Sequence, residues 1–107
     1  MNSQEAHKIA SIQKLFRYDE RLTYFLFHHM NPEIRLGTRE LLSEAAFLDR
    51  SDELLICAAL DFWNGEGGWS LSMGLRSWDD DNVLAFVGAI LYYREIDPVR
   101  LVVNEVC

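Results

Sequence analysis

At 107 residues the chain has the length of one domain, enough to bury roughly two thirds of its unfolded surface. Half of its residues are apolar and 12% aromatic, which excludes an intrinsically disordered polymer. Seventeen acidic residues against ten basic ones give a formal net charge of −7, which argues against direct nucleic-acid binding. The acidity is uneven: residues 1–50 carry seven acids and seven bases, residues 51–107 ten acids and three bases. An excess confined to the second half predicts a surface that attracts a basic partner.

Apolar spacing predicts successive helices separated by short breakers, with no repeat or linker that would divide residues 1–107 into two domains. The first helix runs from Ser3 to Phe16 with Ile9, Ile12, Leu15 and Phe16 on one face. Asp19 caps a second from Glu20 to Met30, facing Leu22, Phe25, Leu26 and His29 inward and ending at Asn31-Pro32. Asn31 and Pro32 then open a third, with Ile34, Leu41, Ala45 and Leu48 as its apolar stripe and Gly37 as a point where it can split.

Ser51 is the expected cap of a fourth helix that runs to Asn64-Gly65. Only Glu53, Cys57, Asp61 and Asn64 form a polar stripe on it, so it is expected to be nearly enclosed. A glycine loop and a short segment from Ser70 to Ser77 lead to Asp79, which caps a last helix through about Glu95. That helix is apolar on most sides, with Asp81, Gly88, Tyr92 and Glu95 marking its outer face. Asp97-Pro98 ends it, and Val99 to Val106 is β-prone. The expected fold is all-α: a compact bundle of about five helices, the fourth and last at its centre, with a short extended C-terminal tail.

Signs of catalysis are weak. The adjacent His28 and His29 point ~100° apart on a helix and cannot share a metal as an i, i+4 pair does. Cys57 lies between Glu53 and Asp61, an acidic setting that disfavours a thiolate. The run Asp79-Asp80-Asp81-Asn82 lacks the register of a calcium loop and is explained by helix capping. Gly65, Gly67 and Gly68 follow a helix rather than a strand, with no Lys-Ser/Thr after them, so they form a turn and not a phosphate cradle. Arg17, Arg21, Arg35 and Arg39 are expected to pair with Glu20, Glu33 and Glu40 at the surface. No metal or cofactor is expected, and both cysteines are expected to be reduced thiols.

The region from Asp61 to Asp81 interleaves carboxylates with tryptophans, a composition suited to binding a basic protein. The candidate partner-binding residues are Asp61, Glu66, Trp69, Trp78, Asp79, Asp80 and Asp81, although any one tryptophan taken singly reads first as a core residue.

Leu60-Asp61-Phe62-Trp63-Asn64-Gly65, then Leu75, Trp78-Asp79-Asp80-Asp81-Asn82-Val83 and Ala89-Ile90, resemble an uncharacterised family of small bacterial and mobile-element proteins. Asp19-Glu20-Arg21 and the aromatic run Tyr24 to Phe27 fit the same pattern, while Trp63 and Trp78 depart from it. The resemblance implies a helical fold and no particular activity.

The expected function is that of a non-enzymatic acidic protein that binds and inhibits a basic, nucleic-acid-handling protein, in the manner of an anti-CRISPR or a toxin-immunity protein. The alternative is a homodimeric structural or regulatory module of a larger complex. An enzyme, which would need His29, Cys57 and Asp61 brought together, ranks third. The N-terminal sequence has no secretory pattern and the longest apolar run, Leu54 to Leu60, is too short to span a membrane, so the expected location is the cytoplasm.

Overall fold

The computed structural model of the chain describes residues 3–28 and 33–100, and among them six α-helices. These are α1 (Ser3–Leu15), α2 (Glu20–Leu26), α3 (Thr38–Ala45), α4 (Arg50–Asn64), α5 (Leu71–Ser77) and α6 (Asp80–Tyr93). The fold is all-α, with one helix more than expected because the segment after the glycine loop is helical. There the Ser70 hydroxyl accepts the Met73 N–H at 3.3 Å and caps α5.

The second helix stops at Leu26 rather than Met30. Phe27 turns extended and pairs with Ile34, while Arg35 closes the helix end: its N–H donates to the Leu26 carbonyl at 2.8 Å and its Nε to that of Phe25 at 3.0 Å. An arginine that satisfies two terminal carbonyls does the work a C-cap glycine usually does. Residues 33–36 are accordingly not helical, and Gly37 is the N-cap of α3 rather than a break within it. His29, Met30, Asn31 and Pro32, with the stop and start assigned to them, lie outside the described residues.

Ser51 does not cap α4; Asp49 does, accepting the Asp52 N–H at 2.8 Å. Ser51 instead joins two helix starts. Its hydroxyl accepts from Asn82 Nδ2 at 2.8 Å and its carbonyl from Trp78 Nε1 at 3.2 Å, which fixes the beginning of α6 against the beginning of α4. Asp79 caps α6 as expected, accepting the Asn82 N–H at 2.9 Å. The helix ends at Tyr93, with Glu95 in the left-handed region. The expected extended tail begins instead with a helical turn, in which the Asp97 carboxylate accepts the Val99 N–H at 3.0 Å; residues 101–107, including Cys107, lie outside the described residues.

Helix α4 is the hub. It packs against α1, α2, α3 and α5, and Leu54, Leu55, Ile56, Ala58, Ala59 and Leu60 are all buried. Ile12, Leu15 and Phe16 of α1 and its following turn, Leu22 and Leu26 of α2, and Leu41 and Ala45 of α3 complete the core around it. Helix α6 is not central. It lies along α1, and only Asn82 and Ala89 of its residues are buried, while Leu84, Val87 and Ile90, expected inside, are exposed.

The loop after α4 is closely packed. Gly65 is left-handed at φ 77° and caps the helix, while a Cβ on Gly67 would land on the Cys57 carbonyl oxygen. Gly65→Ala is expected to cost about 1 kcal/mol through backbone strain alone. Gly67→Ala should cost more than about 2 kcal/mol, because backbone must move away from backbone. Urea unfolding of the two variants checks the order.

Candidate interaction surface

Five aromatic residues of the second half, Phe62, Trp69, Trp78, Phe86 and Tyr93, meet in one chain of rings. Trp69 stacks on Phe86 with centroids 4.4 Å apart and on Trp78 at 5.5 Å. Phe62 of α4 meets Phe86 at 6.3 Å and Tyr93 at 5.7 Å, both edge-on. Long aromatic side chains thus span the gap between α4 and α6. Gly74 of α5 leaves space for Trp69: a Cβ there would lie 2.6 Å from its Cζ2. A cavity of about 320 Å³ opens beside the rings, lined by Phe62, Trp69, Phe86, Ile90 and Tyr93, with Asp61 and Arg94 also on its wall. Trp69 Nε1 is buried and finds no acceptor among the described residues.

The seven sequence-predicted residues do not form one surface patch. Asp61 is half-buried and acts within the chain: one carboxylate oxygen accepts the Gly67 N–H at 2.8 Å, the other the Trp69 N–H at 3.0 Å, so it holds the glycine loop closed. Trp78 is 7% exposed and belongs to the core. Trp69 is partly buried within the ring chain, Asp79 is spent on capping, and Asp81 lies 3.7 Å from Arg17. Glu66 and Asp80 point to solvent.

The arginines also find partners other than those expected. Arg21 reaches Asp52 at 2.8 Å, Arg35 reaches Glu44 at 3.3 Å and Arg50 reaches Glu53 at 2.8 Å. Arg17 and Arg21, from the charge-balanced first half, therefore sit on two carboxylates of the acidic second half. The hydrogen bond and charge of Asp52 raise the pKa of Arg21. Arg17, in the turn after α1, thus places a base beside the start of α6, and Arg21 of α2 places one beside the start of α4.

His7 lies at the end of α6, where its Nε2–H donates to the Tyr93 carbonyl at 3.1 Å and its ring stacks on Tyr92 at 4.9 Å. Lys8 donates in the same way to the Trp63 carbonyl at 3.0 Å, at the end of α4. Both side chains serve helix ends, a role that sequence spacing could not reveal because it joins residues 86 and 55 positions apart. The Cys57 thiol is held above its usual value of 9.0 by burial first and then by Glu53 and Asp61.

What sequence reasoning missed is the outer side of α6. Leu84 is 67% exposed, Ile90 39% and Val87 38%, and on α5 Leu71 and Leu75 are 58% and 60% exposed. An apolar run without a single charge from Val83 to Tyr93 reads as a fully enclosed helix. Hydrophobic periodicity does not reveal that, among the described residues, one side of this helix is left uncovered.

Among the described residues no group of three His, Cys, Asp or Glu is placed to hold a metal ion, and no helix is long and apolar enough to cross a membrane. No protein-family model, curated protein or solved structure matches the chain. The residues behind the family resemblance act here as helix ends and core: Gly65 and Asp79 are caps, and Trp78 and Ala89 are buried.

Two expectations follow. Asp61→Ala should destabilise the fold by about 1–3 kcal/mol by leaving two loop N–H groups without their acceptor, and Asp61→Asn by less, since its amide oxygen keeps one. In a Cys107→Ser background, the contribution of Cys57 should be fully present below pH 9 and decline as pH rises toward its elevated folded value. The stability difference from the Cys57→Ala variant, followed by chemical unfolding between pH 7 and 11, should shrink in that direction; a difference constant in pH would contradict it.

Proposed function

We propose that the protein is a non-enzymatic interaction module that self-associates as a homodimer and serves a structural or regulatory role in a larger complex. The observation that carries this reading is the set of apolar side chains that α5 and α6 leave uncovered among the described residues: Leu71, Leu75 and Leu84 are each more than half exposed. Covering one leucine or valine side chain is worth about 1.5–3 kcal/mol, and patches of this kind mark association surfaces. The non-enzymatic part is supported by two of the three groups an enzyme reading needs. Cys57 is held as a protonated thiol and both Asp61 oxygens are engaged by loop amides.

A second reading keeps the acidic inhibitor of a basic, nucleic-acid-handling protein, anti-CRISPR-like or immunity-like. It is favoured by the net charge of −7 and by the exposure of Glu66, Asp79 and Asp80. It is weakened by the pairing of Asp52 and Asp81 with arginines of the first half.

Sedimentation velocity on the full chain separates the two. Self-association predicts a weight-average mass that rises toward twice the monomer between micromolar and near-millimolar concentration, at both low and high salt. A chain that stays monomeric throughout, yet forms a salt-sensitive complex with a basic protein, would replace the first reading by the second.

A further inference from the structure

We infer that the second copy docks on α6 itself, antiparallel, across a two-fold axis at Val87; the inference rests on the self-association reading and names its interface. Asp80, Leu84, Val87, Leu91 and Arg94 follow one another at steps of four, three, four and three residues. That is the spacing of a helix–helix seam, and it falls on the side of α6 opposite the buried Asn82 and Ala89. Leu84 is the most exposed apolar residue of the stripe at 67%, Val87 is 38% exposed and Leu91 half-buried, and both end residues, Asp80 and Arg94, are exposed. Neither Asp80 nor Arg94 makes an ion pair among the described residues.

The ends of this stripe choose the orientation. Asp80 and Arg94 each lie seven residues from Val87, one on either side. Antiparallel pairing about Val87 sets Asp80 of each copy against Arg94 of the other, giving two equivalent ion pairs, while Leu84 meets Ile90 and Leu91 meets Val83. Parallel pairing would set acid on acid and arginine on arginine. A two-fold axis needs a self-complementary surface, and this stripe is one. Its flanks suit close approach, since Ile90, 39% exposed, widens the apolar band and a Cβ on Gly88 would meet nothing within 4 Å. Helix α5 offers no comparable seam: it has seven residues, and Leu71 and Leu75 are not bracketed by opposite charges. With 14 residues α6 is about 21 Å long, two heptads, which sets the association at the weak end of specific interfaces.

The test is sedimentation velocity with the full chain and four variants, each checked for an unchanged helical spectrum and thermal unfolding. Val87→Glu sets two like charges against each other on the axis and should weaken association by about tenfold or more. Asp80→Arg and Arg94→Asp each replace two attractions by two repulsions and should weaken it about three- to tenfold, and the double variant Asp80→Arg/Arg94→Asp should restore it. If the wild-type chain dimerises but Val87→Glu does not weaken it, or the single charge reversals have no effect, the antiparallel α6 seam is wrong while self-association stands. If the wild-type chain never dimerises, the reading on which the seam rests is wrong as well.

Discussion

The enclosure of α4 is the constraint on which the rest of the structure depends. Its sequence leaves a single polar stripe, so its other sides must be covered, and α1, α2, α3 and α5 are all drawn to it. Helix α6 lies along α1 and reaches α4 through the Asn82–Ser51 hydrogen bond at its start and, farther along, through the rings of Phe62, Phe86, Tyr93 and Trp69. A helix held from one side buries a narrow strip, and the rest of an equally apolar sequence faces outward.

The polar stripe of α4 shows how easily a structural device resembles a site. Glu53, Cys57 and Asp61 stand in line, a carboxylate on either side of a thiol. Yet Glu53 pairs with Arg50, Asp61 binds two loop amides, and burial together with those same carboxylates keeps the thiol protonated. A nucleophile needs the opposite surroundings, with a cation or helix N-terminus near the sulfur. The stripe instead closes the glycine loop over the end of α4, which places Trp69 against Phe86.

Local chemistry was legible in the sequence where it acts over a few residues. The Asp19 and Asp79 caps, the Gly65 stop, the buried faces of α1 and α4 and the polar stripe are set by spacing and by single side chains. What could not be read depends on partners far along the chain. Arg35 ends α2 from nine residues beyond it, α4 starts one residue before Ser51 so that Asp49 caps it and the Ser51 hydroxyl accepts from Asn82, and Arg21 crosses to Asp52. The exposure of α6 belongs to the same class, because hydrophobic periodicity reports which sides of a helix tolerate burial and not which sides obtain it.

Charge along the chain is therefore a poor map of charge in space. Helix capping alone accounts for acids at the start of α6 and a base at its end, since the macrodipole favours that order by about 0.3–1 kcal/mol per group. It would be served equally by Asp79 or Asp81, one of which caps the helix while the other lies beside Arg17. Capping does not require Asp80 and Arg94 to share one side of the helix with Leu84, Val87 and Leu91, nor to stand at equal distances from Val87. An exposed ion pair contributes less than the burial of one of those side chains. On such a surface the apolar residues would supply the affinity, and the two charges would decide the direction in which a second helix lies.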